Sequence, residues 1–148
     1  MHPTAARLQG RLADDGLAID VVTVTDSART APQAAAALGC EVGQIVKSLV
    51  FMRDAEALMV LCAGDRRVGA DRLGLTPANA DQARAATGFA IGGIPPLGHA
   101  TPLATLIDES LRRFATVWAA AGTPHDVFEV ATEALIASIP DAEVTAVS

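Results

Sequence analysis

Two apolar runs separated by four mostly polar residues are the feature that most constrains how this chain can fold. The first run is QIVKSLVFM, residues 44–52, and the second is ALMVLCAG, residues 57–64. Their composition and spacing predict two strands joined across RDAE, residues 53–56. The first run is also compatible with a helix that buries residues 45, 46, 49 and 50 and exposes Lys47.

The rest of the chain predicts short elements in an irregular order. Helices are expected over 4–14, 31–38, 69–74, 79–87 and 131–138, and strands over 19–24, 103–108, 117–122 and 127–130, before AEVTAV closes the chain. The helix over 31–38 has the clearest ends, because Thr30 and Gln33 fit a capping box and Gly39 follows as a stop. This mixture predicts an α/β fold and not the regular alternation of a doubly wound sheet.

Length and composition predict one domain over residues 1–148. Apolar residues make up 51% of the chain and charged residues 19%, which is typical of a globular protein. No apolar run approaches the roughly 20 residues that span a bilayer. The first residues, MHPTAARLQGRLADDG, lack the apolar core of a signal peptide. We therefore expect a cytoplasmic protein with no membrane partner.

Charge and metal-binding side chains narrow the function classes further. The net charge of −6 argues against a protein that coats DNA or other nucleic acid, so any polyanion contact must be small and local. His2, His99 and His125 are far apart and fit no zinc spacing. Cys40 and Cys62 form no CxxC pair and are typical of small buried hydrophobes. We expect no metal.

Lys47 is the only lysine of the chain, since the other ten basic residues are arginines. Lysine is a compact point charge on a flexible stem, whereas arginine is a planar fork. On a central strand with apolar neighbours, this ammonium must reach a cleft, a partner or a bound anion. The alternative is an edge strand, on which a lysine discourages aggregation.

The stretch GFAIGGIPPLGHATP, residues 88–102, holds four glycines and three prolines and cannot form a regular element. Gly92 and Gly93 would let a ligand approach the backbone closely, and Pro95 with Pro96 would stiffen the loop. The stretch is neither a Walker loop nor a GxGxxG motif. A rigid connection without any ligand is the alternative.

Signatures of covalent catalysis are missing from the sequence. There is no GxSxG elbow and no Cys/His arrangement. Asp108 and Glu109 are adjacent at the end of a predicted strand, where neighbouring side chains face opposite ways, so they cannot form a close acid pair.

Four segments, GQIVKSLVF, GFAIGGIPPLGH, LIDES and WAAAGTP, occur in an order and spacing that resemble the YbaK-like family of aminoacyl-tRNA deacylases. The same fold occurs as the editing domain of bacterial prolyl-tRNA synthetases. The resemblance covers roughly residues 20–140. It implies a mixed, barrel-like sheet surrounded by helices, and a free-standing protein that hydrolyses mischarged tRNA. It also implies that no cofactor is needed and that the 2′-hydroxyl of the substrate helps to activate water.

The resemblance assigns roles to particular residues. Lys47 matches the functional lysine of the family, and Gly92 with Gly93 match the loop that holds the ester. Further candidates for substrate binding in the matched segments and beside them are Thr30, Ile94, Pro95, Gly98, His99, Asp108, Gly122 and Thr123. The implied partners are the acceptor end of an aminoacyl-tRNA and prolyl-tRNA synthetase, and the protein would be a monomer or homodimer. Alanine or serine on proline tRNA is the natural substrate for editing of small residues.

Two other function classes stay open at this stage. One is an enzyme in which Lys47 forms a Schiff base with a carbonyl, which would need a general acid or base that the sequence does not supply. The other is a non-catalytic module that binds aminoacyl-tRNA or a synthetase, and it would need the same pocket as a deacylase.

Overall fold

The structure is a computed structural model that describes residues 1–25 and 29–148. The α-helices within these residues are α1 (Pro3–Asp14), α2 (Ala31–Leu38), α3 (Ala70–Leu73), α4 (Ala80–Thr87) and α5 (Thr132–Ala137). The strands are β1 (Val21–Thr23), β2 (Val46–Arg53), β3 (Glu56–Ala63), β4 (Thr76–Pro77), β5 (Thr105–Asp108), β6 (Thr116–Thr123), β7 (Asp126–Ala131) and β8 (Glu143–Thr145). Short 3-10 helices cover Val42–Gln44 and Glu109–Arg113.

The predicted strand pair is confirmed as an antiparallel hairpin of β2 and β3, with Val46 opposite Ala63 and Arg53 opposite Glu56. The helical alternative for the first run is therefore wrong. The strand begins at Val46 and not at Gln44, because the Gln44 side chain accepts a hydrogen bond from the Glu41 amide and donates one to the Thr116 carbonyl. These two bonds hold residues 42–44 in a 3-10 turn.

The expected α/β class is confirmed, and the strands of the barrel-like arrangement belong to two sheets that, among the described residues, do not close into a complete barrel. One is mixed and five-stranded, in the order β4-β2-β3-β5-β8, and the other is antiparallel, in the order β1-β7-β6. A parallel bridge between Ile45 and Trp118 joins them. In the described part of the chain, the terminal strands β4 and β8 pair with no strand of the other sheet, so the strands do not form a closed barrel.

Both faces of the β2–β3 hairpin are packed, because side chains alternate along each strand. Met59 and Leu61 belong to the larger core cluster, together with Leu8 of α1 and Phe128 of β7. On the other face, Val60 belongs to a smaller cluster that includes Leu75 and Val147. The hairpin is thus a central layer, which explains why both runs are almost continuously apolar.

The predicted helices are confirmed to within two residues at most ends. The capping box of α2 is present, and Gly39 ends that helix in the left-handed conformation with φ 68°. Of the predicted strand over 19–24, only Val21–Thr23 pairs with β7. The two-residue strand β4 and both 3-10 helices have no clear sequence pattern and were not predicted. No helix among the described residues is long and apolar enough to cross a membrane.

Candidate active site

A cavity of about 370 Å³ lies between the two sheets, and we name it the β2–β6 cavity after two of its walls. Its lining comprises residues 45–51, the α2 side chains Ala31, Ala34 and Leu38, residues 118–120 of β6, and Ile91, Gly92 and Ile94 of the glycine-proline loop, with Thr30, Pro77, Ala78, Ala83, Pro124 and Val127. The side chains are mainly small and apolar. The polar exceptions are Thr30, Lys47 and Ser48, with the indole N–H of Trp118.

The cavity follows the edge of β2 that faces away from β3, between the bridge at Ile45 and the pairing with β4 at Phe51 and Met52. Consecutive residues 45–51 all line it, although their side chains alternate between the two faces of the strand. The Val50 carbonyl accepts a hydrogen bond from the Ala78 amide, so the polar backbone groups of Val50 face away from β3. Because this orientation alternates along an antiparallel strand, the amide and carbonyl of Ser48 face the same side, where β4 does not reach.

Lys47 lies at this edge, on the face of β2 that it shares with Leu49 and Phe51. It is half-buried, and its Nζ donates a hydrogen bond to the Arg66 carbonyl. Within residues 1–25 and 29–148 it forms no ion pair. Although β2 is not a terminal strand of its sheet, the open edge gives Lys47 access to the cavity. Its positive charge is therefore held in place and has no anionic partner among these residues.

The two loop glycines have different surroundings. Gly92 lines the cavity and has φ +99°, while an added Cβ would find only Pro124 Cγ, at 3.8 Å. The backbone conformation at position 92 therefore favours a glycine, whereas space for a side chain is available. At Gly93 an added Cβ would lie 2.7 Å from Cα of Thr123, so this residue packs directly on the backbone of β6.

The amides of the two glycines also differ in availability. The Gly93 N–H donates to the Ala90 carbonyl at 3.1 Å and closes a turn within the loop. In the described part of the chain, the Gly92 N–H has no such backbone partner. Of these two glycines, Gly92 is the one that lines the cavity with an amide not bonded to a described backbone carbonyl.

The second half of the loop is anchored on α1. The Pro95 carbonyl lies 2.8 Å from Nε2 of the buried His99 ring, and Arg11 donates a hydrogen bond to the His99 carbonyl. An added Cβ at Gly98 would lie 2.6 Å from a methyl group of Leu8. Burial lowers the pKa of His99, which favours the neutral ring. Pro95, Gly98 and His99 therefore lie away from the lining of the β2–β6 cavity, whereas Ile94 is part of it.

Asp108 is buried at the end of β5, where its two oxygens accept hydrogen bonds from the amides of Ala63 and Ser110, both at 2.9 Å. It ties β5 to β3 and does not line the cavity. The neighbouring Cys62 thiol has a pKa raised to about 11, mainly by burial, with Lys47 opposing and Asp108 adding to the shift. This thiol stays protonated at neutral pH and is not a nucleophile.

Gly122 and Thr123 line a second cavity of about 860 Å³, which we name the Asp126 cavity. Pro124 lines both cavities, so they are neighbours. The Asp126 carboxylate accepts hydrogen bonds from Thr123 Oγ1 at 2.6 Å and from Thr23 Oγ1 at 2.7 Å. Burial opposes ionisation, but these hydrogen bonds hold the pKa of Asp126 below its usual value.

Residues 25–137 match the family model of the aminoacyl-tRNA editing domain. The chain belongs to this editing family. A curated relative, the uncharacterized protein YwhH of Bacillus subtilis (strain 168), is 30% identical over 126 residues, which cover 78% of each chain.

Two solved structures are similar to this chain at higher identity. One is a protein provisionally assigned as a trans-editing enzyme for prolyl tRNA synthetase. It is 43% identical with a TM-score of 0.92, and the match covers 100% of this chain and 98% of that one. The other is from work on grafting linear epitopes onto scaffold proteins. It is 39% identical with a TM-score of 0.93, and the match covers 100% of this chain and 99% of that one.

The cavity of this editing domain brings together Thr30, Lys47, Gly92 and Ile94 from the residues that the sequence nominated. It also contains Ser48 and Trp118, which sequence reasoning did not nominate. The Ser48 hydroxyl is buried and has no hydrogen-bond partner in the part of the chain that the structure describes. The sequence shows that Ser48 lies beside Lys47. It does not show whether the Ser48 hydroxyl has a partner, because this depends on where β4 and β6 end. The described residues contain no group of three or more His, Cys, Asp or Glu side chains arranged to hold a metal ion.

Proposed function

We propose that this protein is a free-standing trans-editing deacylase that hydrolyses the ester between a small amino acid and the terminal adenosine of a tRNA. We further propose alanine or serine as the amino acid and proline tRNA as its carrier. The observation that carries the proposal is the β2–β6 cavity, in which a lysine without an ion pair and a backbone amide without a backbone partner, as far as the described residues go, border a small apolar space. The family membership supports the same reaction.

Lys47 acts in this proposal through its charge. The acceptor end of tRNA brings phosphates, and the ester carbonyl becomes negative when water attacks it. An ammonium that is held by the Arg66 carbonyl and forms no ion pair with a described residue is suited to either contact. The net charge of −6 is compatible with this local contact, since only the acceptor end has to be bound.

Gly92 supplies the second electrostatic contact. We assign its amide, and not that of Gly93, as the donor to the oxyanion, because the Gly93 amide is already bonded to Ala90. Removing one such donor in other enzymes costs about 3 kcal/mol of transition-state stabilisation. We assign Ile94, on the same loop, to contact the amino-acid side chain, and Thr30 at the start of α2 to bind the substrate across the cavity.

The reaction needs only water as a second reactant. Water attacks the carbonyl carbon, and the bond from this carbon to the ribose oxygen breaks. The amino acid leaves as a carboxylic acid and ionises, while a proton from the water ends on the ribose hydroxyl. We propose that the neighbouring 2′-hydroxyl of the substrate orients the water, and we expect no cofactor. We place this reaction in the cytoplasm, where the mischarged tRNA would be hydrolysed after prolyl-tRNA synthetase releases it.

The test is a panel of purified mischarged tRNAs, with release of free amino acid measured over time. We expect hydrolysis of at least one small aminoacyl-tRNA, unchanged by EDTA. If every charged tRNA stays intact while binding quenches the fluorescence of Trp118, the sole tryptophan, the protein is a binding module. If borohydride traps a covalent adduct on Lys47, the Schiff-base class is favoured instead.

A further inference from the structure

The Ser48 hydroxyl is buried, lacks a hydrogen-bond partner among residues 1–25 and 29–148, and belongs to a residue that lines the β2–β6 cavity. Ser48 faces the larger core cluster, because it alternates along β2 with Val46 and Val50, which are both in that cluster. A buried hydroxyl without a partner is unfavourable, and buried polar groups in folded proteins are nearly always hydrogen-bonded. An alanine at position 48 would avoid this cost, so the hydroxyl is suited to forming a hydrogen bond with a ligand.

We propose that Ser48 determines specificity by hydrogen-bonding the side-chain hydroxyl of a bound seryl group, so that the enzyme prefers serine over alanine. This inference rests on the proposed deacylase function and names the substrate class at the same site. When a seryl group is bound, Ser48 and the substrate satisfy each other. When an alanyl group is bound, the Ser48 hydroxyl remains unpaired, and this difference discriminates against alanine.

The other polar group of a bound amino acid, its α-ammonium, fits Ser48 less well. An ammonium carries a charge and three donors, whereas a hydroxyl offers one oxygen as acceptor. The cavity wall around Ser48 is apolar, and Lys47 already brings one positive charge to the same cavity. Binding of a neutral hydroxyl involves neither repulsion by the Lys47 charge nor the cost of removing an ion from water. A single neutral partner therefore matches Ser48 better.

The chain contains a matched control for this inference. Ser110 also has a buried hydroxyl that finds no hydrogen-bond partner among the described residues, but it does not line the β2–β6 cavity. Any general effect of removing a buried, unpaired hydroxyl should be the same at both positions. An effect on substrate choice should appear only at Ser48.

The experiment compares kcat/KM for seryl-tRNA and alanyl-tRNA, both charged on proline tRNA, in the wild type, Ser48→Ala and Ser110→Ala. We expect the wild type to prefer the seryl substrate, and Ser48→Ala to lower the seryl-to-alanyl ratio by about tenfold or more, mainly through slower seryl hydrolysis. Ser110→Ala should keep the wild-type ratio. An unchanged ratio in Ser48→Ala overturns the proposal, whether both rates stay constant or fall together, and so does an equal change in Ser110→Ala.

A binding measurement separates failure of this inference from failure of the deacylase function. The probes are 3′-deoxyadenosines that carry serine or alanine in a stable 3′-amide, and the readout is fluorescence of Trp118 in the cavity. If the wild type hydrolyses neither tRNA but binds the seryl probe more tightly, and Ser48→Ala loses this preference, then selection by Ser48 is upheld and catalysis is refuted. If no preference for the seryl probe exists in the wild type, the Ser48 inference is wrong.

Discussion

The two neighbouring cavities differ in how their polar groups are used. In the Asp126 cavity the carboxylate is shared by Thr23 and Thr123, so these side chains satisfy one another. In the β2–β6 cavity Lys47 has no anionic partner and Ser48 has no partner at all, within the described part of the chain. The β2–β6 cavity, which has the smaller volume, thus leaves Lys47 and Ser48 available to a ligand. In the Asp126 cavity, the carboxylate and its two threonine partners stabilise the fold instead.

The largest effect is expected at Lys47. Lys47→Ala should lower kcat/KM for the edited tRNA by about a hundredfold or more, because it removes the one cation among the described residues that line the cavity. Stability should change little, since the lysine contributes one hydrogen bond to a carbonyl and no ion pair. Arg53→Ala, which removes an exposed cation from the same strand outside the cavity, should retain activity and serves as the control.

Lys47→Arg tests whether the charge alone is sufficient. The planar guanidinium is larger than an ammonium and cannot take the same position against the Arg66 carbonyl, so we expect this variant also to lose most of its turnover. Full activity in Lys47→Arg, measured on the same charged tRNA, would show that the shape of the cation is unimportant even if Lys47→Ala is inactive.

The second effect separates the two loop glycines. Gly93→Val should unfold or strongly destabilise the protein, by about 3 kcal/mol or more, because its Cβ would overlap the backbone of β6 at Thr123. The Cβ of Gly92→Ala has space, so this variant should lose only about 1 kcal/mol of unfolding free energy, because of the positive φ at this position. We expect it to hydrolyse the substrate more slowly. Chemical unfolding and single-turnover hydrolysis distinguish the two. Equal stability of both variants would contradict the proposed division of roles.

These glycines also show how far the sequence could predict the site. The apolar runs predict the strand pair, and the glycines and prolines predict the loop. The importance of Lys47 follows from the family resemblance. The different surroundings of Gly92 and Gly93 do not, since they depend on the approach of β6 from almost 30 residues away. Likewise, the hydrogen bonds of Asp108 depend on the pairing of β5 with β3, and no local pattern predicts them.

An intermediate effect is expected in the Asp126 cavity. Asp126→Ala leaves the hydroxyls of Thr23 and Thr123 without their acceptor and should lower the free energy of unfolding by about 1–3 kcal/mol. Turnover per folded molecule should fall much less than in Lys47→Ala. His125→Ala, at the exposed neighbouring position, should leave stability nearly unchanged and serves as the control.

The smallest effect is a pH dependence from His99. Its pKa in the folded state is lowered by burial, whereas the unfolded chain titrates near 6.5, so the unfolded state binds more protons below that pH. The contribution of neutral His99 to stability is therefore complete above pH 6.5 and decreases as the pH falls toward the lowered value. His99→Gln should flatten this part of the profile of unfolding free energy against pH. An identical slope in both proteins would mean that another group causes the dependence.

The central claim is that the polar groups of the β2–β6 cavity serve the substrate, whereas Asp126 and its threonine partners serve the fold. The most direct test measures two quantities on Lys47→Ala and Asp126→Ala together, which are hydrolysis of the edited tRNA per folded molecule and the free energy of unfolding. We predict that Lys47→Ala loses hydrolysis and retains stability, while Asp126→Ala shows the opposite pattern. Loss of stability in Lys47→Ala with hydrolysis per folded molecule intact would contradict the account.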